Sequence, residues 1–177
     1  MGHGGSLQMW KSYFGKRAQI IGIDIVPICK TIEERQIEIH IGSQSDRVFL
    51  SELKNKIPPL DILIDDGGHL MEQQIVSFEE MFSHIKENGV YLCEDLCISY
   101  WEEFNGGYKQ LNTFIEYSKN FIDYLNANHS RQNDLTVNEF TRSVNSIHYY
   151  DNVLVIEKGR QEQHQVLFSG KIKLPGY

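Results

Sequence analysis

The chain has 177 residues, 41% of them hydrophobic, with 17 Lys and Arg against 24 Asp and Glu and a formal charge of −7. That length carries one well-buried domain, and an acidic balance with no basic cluster longer than Lys16-Arg17 argues against nucleic acid and anionic membranes as partners. No apolar run approaches the ~18 residues of a membrane span, the first six residues lack a signal peptide's basic and apolar regions, and Cys29, Cys93 and Cys97, without zinc-type spacing, read as free thiols of a reducing cytoplasm.

Met1-Gly2-His3-Gly4-Gly5-Ser6 opens on a glycine loop, with Ser6 placed to cap a helix whose Leu7, Trp10 and Phe14 share a face before Gly15 stops it. A glycine loop feeding a helix N-terminus is an anion site, because unpaired backbone N–H groups point outward and glycine lets a ligand come close. Ala18 to Ile25 then reads as an apolar strand with Asp24 near its end, about 20 residues past the glycines, the spacing at which an acid meets a ribose diol in nucleotide-binding βαβ units. Ile37 to Ile41 alternates, as a strand near a sheet edge does. Gln44, Ser45 and Asp46 follow it, either lining the adenine side of a nucleotide pocket or serving as loop and N-cap residues of a helix through Val48, Leu50 and Leu53.

Pro58-Pro59 launches the stretch with the densest chemistry, a strand from Leu60 ending in Asp65-Asp66-Gly67-Gly68-His69. A helix with its apolar stripe at Met71, Ile75, Phe78, Phe82 and Ile85 leads to a second strand, Gly89 to Cys93, which ends in Glu94-Asp95. Neighbouring strands lie roughly 4.8 Å apart, so four carboxylates would crowd one sheet edge. Two like charges ~4 Å apart repel by about 4 kcal/mol near a protein surface. A hard cation such as Mg²⁺ suits oxygen ligands and would relieve that repulsion, with His69 beside it as base.

From Leu96 to Ser143 an aromatic connection leaves the carboxylate rim where a substrate cover would, while its long helix, expected over residues 108–128, reads as a peripheral helix filling a face of the sheet. Val144 to Tyr150 and Val153 to Lys158 read as a hairpin about Asp151-Asn152. Residues 159–177 read as a polar tail with a short apolar stretch, Val166 to Phe168, so the domain is expected to span 1–158.

Taken together, G-H-G-G-S, I-I-G-I-D, G-S-Q-S-D, I-D-D-G-G-H, C-E-D and S-I-H-Y-Y-D-N-V-L-V-I-E-K resemble class I S-adenosylmethionine-dependent methyltransferases, and within them the metal-dependent branch of macrolide-sugar O-methyltransferases and cephalosporin-hydroxylase-like proteins. The resemblance implies an α/β, Rossmann-like, mostly parallel sheet of seven strands with helices on both faces and a C-terminal antiparallel hairpin. It implies transfer of a methyl group from S-adenosylmethionine to a hydroxyl, often on a sugar. It further implies Mg²⁺ held by Asp66 and Asp95 and His69 as base; the residues placed on the cofactor side are Gly2, His3, Gly4, Gly5, Ser6, Asp24, Gln44, Ser45, Asp46 and Asp65. Asp65 and Glu94 are assigned to cofactor or supporting roles.

The family places a strand before the glycine loop, and this sequence has no residues there, so the domain is read as N-terminally shortened. The expected partner is a small hydroxylated, sugar-like substrate, with self-association left open. Two other readings use the same residues: an NAD-dependent oxidoreductase, and a non-catalytic interaction or dimerisation module.

Overall fold

The computed structural model describes residues 4–162, 167, 169 and 170, so the expectations for Gly2, His3 and most of the Val166 to Phe168 stretch lie outside the described residues. Isoleucine builds the first strand pair. Strand β1 (Ile20–Asp24) runs parallel to β2 (Ile37–Ile41), with Ile20 opposite Ile37 and Asp24 opposite Ile41. Because side chains alternate across a strand, the pair has two apolar faces. Helix α1 (Gly5–Phe14) sets Leu7 against Ile37, Ile39 and Ile20. Helix α2 (Arg47–Lys54) sets Leu50 and Leu53 against Ile21 and Ile23.

The second sheet has the order β3 (Leu60–Asp65), β4 (Ile85–Cys93), β6 (Val153–Lys158), β5 (Val144–Tyr150). β3 and β4 are parallel, whereas β6 is antiparallel to both β4 and β5. Tyr91 and Cys93 of β4 face the same way as their β6 partners Ile156 and Leu154. All four pack with Phe78 of α3 (Met71–Met81), Phe114 and Phe121 of α4 (Phe114–Asn126) and Phe140 of α5 (Glu139–Ser143). Ring stacking knits this core, with centroids 4.6 Å apart for Phe78 and Phe121 and 4.9 Å for Phe121 and Phe140.

Several expectations need correction. The described residues form six strands in two sheets, rather than one mostly parallel sheet of seven, and parallel and antiparallel pairings are equal in number. No described strand pairs β1 with β3. The two sheets meet through side chains instead: Ile21 and Ile23 of β1 share a cluster with Leu60 and Leu63 of β3, roofed by α2 and α3. Helices on both faces hold for the β1–β2 pair, but on the larger sheet α3, α4 and α5 take one face, leaving Val90, Leu92 and Val155 half-buried on the other.

Helix α3 stops at Met81, and Phe82–His84 tightens into a 3₁₀ turn, so Ile85 starts β4 instead of closing the helix. The long helix expected over 108–128 begins only at Phe114, because Gly107 and Gln110 first form hydrogen-bonded turns and Thr113 caps the helix by accepting the Glu116 N–H. Helix α4 fills a face of the sheet through Phe114 and Phe121.

Candidate metal centre and active site

The β3–β4 pairing delivers the acids to one rim. Asp65 lies opposite Cys93, and the Glu94 N–H donates to the Asp65 carbonyl at 3.0 Å, so the two strand ends leave the sheet side by side. Alternation then separates the acids by function. Asp65 turns inward and is buried, whereas Asp66 points to the surface with Asp95 across from it.

His69 closes the group. Its Nε2 lies 3.8 Å from Asp66 Oδ1 and 3.5 Å from Asp95 Oδ2, and one ligand atom from each of the three residues falls within 4.8 Å of the others. His69 and Asp95 both adopt left-handed backbone, φ 59° and 56°. Such residues are uncommon outside turns and persist where the surroundings over-determine them. The reversal is made at His69 itself, and the glycines leave room for two amide side chains: a Cβ at Gly67 would lie 1.9 Å from Gln44 Oε1, and one at Gly68 2.2 Å from Gln73 Oε1, so either amide would have to shift.

Gln44 meets the rim from the loop after β2. Its Nε2 donates to Asp65 Oδ1 at 3.0 Å and Ser77 Oγ at 3.2 Å, while its Oε1 accepts the Gly68 N–H at 2.8 Å. Burial nevertheless pushes the Asp65 carboxyl up to about 7, opposed by the Gln44 and Ser77 donors. Glu94 is also held above the usual carboxylate range, first by burial and then by repulsion from Asp66 and Asp95. Burial therefore disfavours the charged form of both carboxyls at this rim.

The remaining cofactor-side candidates are spread along neighbouring strand ends. Gly4 takes φ 69° at the N-cap of α1, where a Cβ would lie 2.5 Å from Ile32 Cδ1, and it replaces Ser6 as the capping position; Gly5 and Ser6 are exposed in the first turn. Asp24 is buried at the end of β1 and accepts the Val26 N–H at 2.8 Å. Ser45 pairs with Ser43 at 3.0 Å. Asp46 spends its carboxylate capping α2, accepting from Val48 and Phe49 N–H groups, the structural one of its two expected uses.

Two residues escaped the sequence reading. Gln74, fully buried on α3, donates to Cys93 Sγ and to the Glu94 carbonyl, both at 3.3 Å. The sequence marks Asn152 only as a turn residue, but its Nδ2 donates to Asp95 Oδ1 at 3.0 Å. The signal was topological: an antiparallel β6 beside β4 puts the β5–β6 turn next to the residues that follow Cys93. Beside Asp95 a groove of about 490 Å³ is lined by Leu96, Tyr100, Ile115, Ile122, Tyr149 and Asn152.

No protein-family model matches the chain. It is 34% identical over 163 residues to the 8-demethyl-8-alpha-L-rhamnosyl tetracenomycin-C 2'-O-methyltransferase of Streptomyces olivaceus, covering 91% of this chain and 43% of that protein. It is 37% identical over 161 residues to the demethylmacrocin O-methyltransferase of Streptomyces fradiae, covering 88% and 40%. The structure of the MycE methyltransferase of mycinamycin biosynthesis, in complex with Mg, SAH and mycinamycin VI, superposes with a TM-score of 0.82 at 34% identity over 89% of this chain. Over about nine-tenths of its own length the chain is similar to sugar O-methyltransferases. It spans about two-fifths of the length of the sugar O-methyltransferases it matches. Within that span lie the carboxylate rim, His69 and the closing hairpin. Among the described residues, no helix is long and apolar enough to cross a membrane.

Proposed function

We propose that the chain carries the metal- and S-adenosylmethionine-dependent centre of an O-methyltransferase that methylates a sugar hydroxyl on a glycosylated natural product. The observation that carries this reading is the convergence of Asp66, Asp95 and His69 Nε2 within 4.8 Å, in a chain whose relatives are sugar O-methyltransferases.

The residues fit a divalent cation. A carboxylate oxygen from Asp66 and one from Asp95 lie within 4.8 Å of each other, which suits two oxygen ligands of one Mg²⁺ at about 2.1 Å each. Asp66 and Asp95 would hold the ion, since Mg²⁺ prefers oxygen, leaving His69 Nε2 to face the substrate. When bound, the cation supplies Lewis-acid stabilisation of alkoxide charge and S-adenosylmethionine supplies a methyl group on a sulfonium. His69 Nε2 removes the hydroxyl proton as general base. Gly4, Gly5 and the first turn of α1 offer backbone N–H groups to the cofactor, and Asp24 offers an acceptor for a ribose hydroxyl. Gln44 and Ser45 stand at the adjoining strand end, where an adenine would lie. The apolar groove beside Asp95 suits the aglycone of such a substrate, and free cysteines suit a reducing cytoplasm.

The test is transfer of a labelled methyl group from S-adenosylmethionine to a glycosylated macrolide, with Mg²⁺ and with EDTA. Mg²⁺-dependent transfer, abolished by EDTA and by D66A, is expected. Undiminished transfer in EDTA overturns the reading.

A further inference from the structure

Asp95 sits at a left-handed position with its carboxylate at the rim, and a carboxylate there can rotate. What holds it comes from the other end of the chain. Asn152 Nδ2 donates to Asp95 Oδ1 at 3.0 Å, Asn152 Oδ1 accepts the Cys97 N–H at 2.7 Å, and the Asn152 carbonyl accepts the Leu96 N–H at 3.1 Å. One residue thus grips three consecutive residues. The chemistry fixes the orientation of the amide: a carboxylate only accepts and a backbone N–H only donates, so Nδ2 must face Asp95 and Oδ1 must face Cys97. Asn152 itself is left-handed, φ 67°, a conformation asparagine tolerates better than most residues.

We propose that Asn152 is a positioning residue for the metal centre: by occupying Oδ1 of Asp95 it leaves Oδ2, the oxygen 3.5 Å from His69 Nε2, as the one presented to a cation. This rests on the metal reading above. Asn152 borders the apolar groove, but its effect on the cation runs through Asp95. Its position in the turn lets the β5–β6 hairpin set the geometry of a ligand on the β4 side.

The test is Mn²⁺ binding to the chain, read by electron paramagnetic resonance, with thermal unfolding recorded in parallel. N152G removes the amide while keeping a residue at ease at positive φ. It is expected to weaken Mn²⁺ about tenfold or more, within the roughly 10–100-fold range for partners that orient metal ligands, with an unchanged thermal midpoint. N152S, whose hydroxyl is too short to span both partners, is expected to behave alike and decides the matter should N152G fold poorly. Wild-type affinity in a folded variant overturns the proposal, as does a loss of affinity that only follows a loss of stability. Failure of the wild-type chain to bind Mn²⁺ instead overturns the metal reading on which the proposal stands.

Discussion

Gln44 holds Asp65 across the break between the two sheets, its Nε2 3.0 Å from Asp65 Oδ1, and the same amide accepts the Gly68 N–H at 2.8 Å. A residue from the β1–β2 unit therefore shapes the turn that carries Asp66 and His69. Q44A would leave a buried carboxyl short of a donor, which costs about 1–3 kcal/mol. Urea unfolding is expected to show that loss, and Q44E is expected to lose more at pH 8 than at pH 5, because it sets a second carboxylate against Asp65.

Asp65 itself makes stability depend on pH. Burial raises its folded pKa to about 7 from an ordinary 3.8, so the folded chain binds this proton more tightly than the unfolded chain. The resulting stabilisation is complete below about pH 4 and is lost as the pH rises through about 7. D65N has no such proton to lose. In EDTA, the stability of the wild type relative to D65N is expected to fall between pH 4 and pH 8 by up to on the order of 4 kcal/mol. A difference that stays flat across this range would contradict the burial argument.

His69 separates proton transfer from metal binding. H69N keeps a residue that tolerates φ 59° but removes the basic ring nitrogen. Methyl transfer is expected to fall by roughly 10²–10⁴-fold, with Mn²⁺ affinity nearly unchanged. Loss of Mn²⁺ binding in H69N would instead make His69 a ligand.

The aromatic core sets the stability of the larger sheet. Phe121 is 1% exposed and stacks between Phe78 and Phe140. F121A is expected to cost about 3–5 kcal/mol, measured as a fall in the urea midpoint with an unchanged slope.

How much of this was legible in the sequence follows from how local each cause is. The rim was readable because two apolar strands each end in paired acids, and strand alternation, a purely local rule, decides that Asp66 faces out while Asp65 faces in. The hairpin about Asp151-Asn152 was readable for the same reason, and its strands span the expected Val144–Tyr150 and Val153–Lys158. Helix ends were less so. Phe82 and Ile85 continue the apolar period of α3, but the demand for a strand beside β3 overrides the period after Met81. The contacts of Gln44 and Asn152 were illegible, because their partners lie 21 and 57 residues away and depend on which strands become neighbours.

The break between β1 and β3 has a consequence for how the protein breathes. Strands that share no backbone ladder have no hydrogen bonds to lose together, so the β1–β2 pair can open while β3 to β6 stay intact around their phenylalanine stack. Amide protons of Ile21 to Ile23 are expected to exchange with deuterated water well before those of Tyr91 to Cys93. A ligand that engages both the β1–β2 pair and the end of β3 is expected to slow exchange in the first group the most.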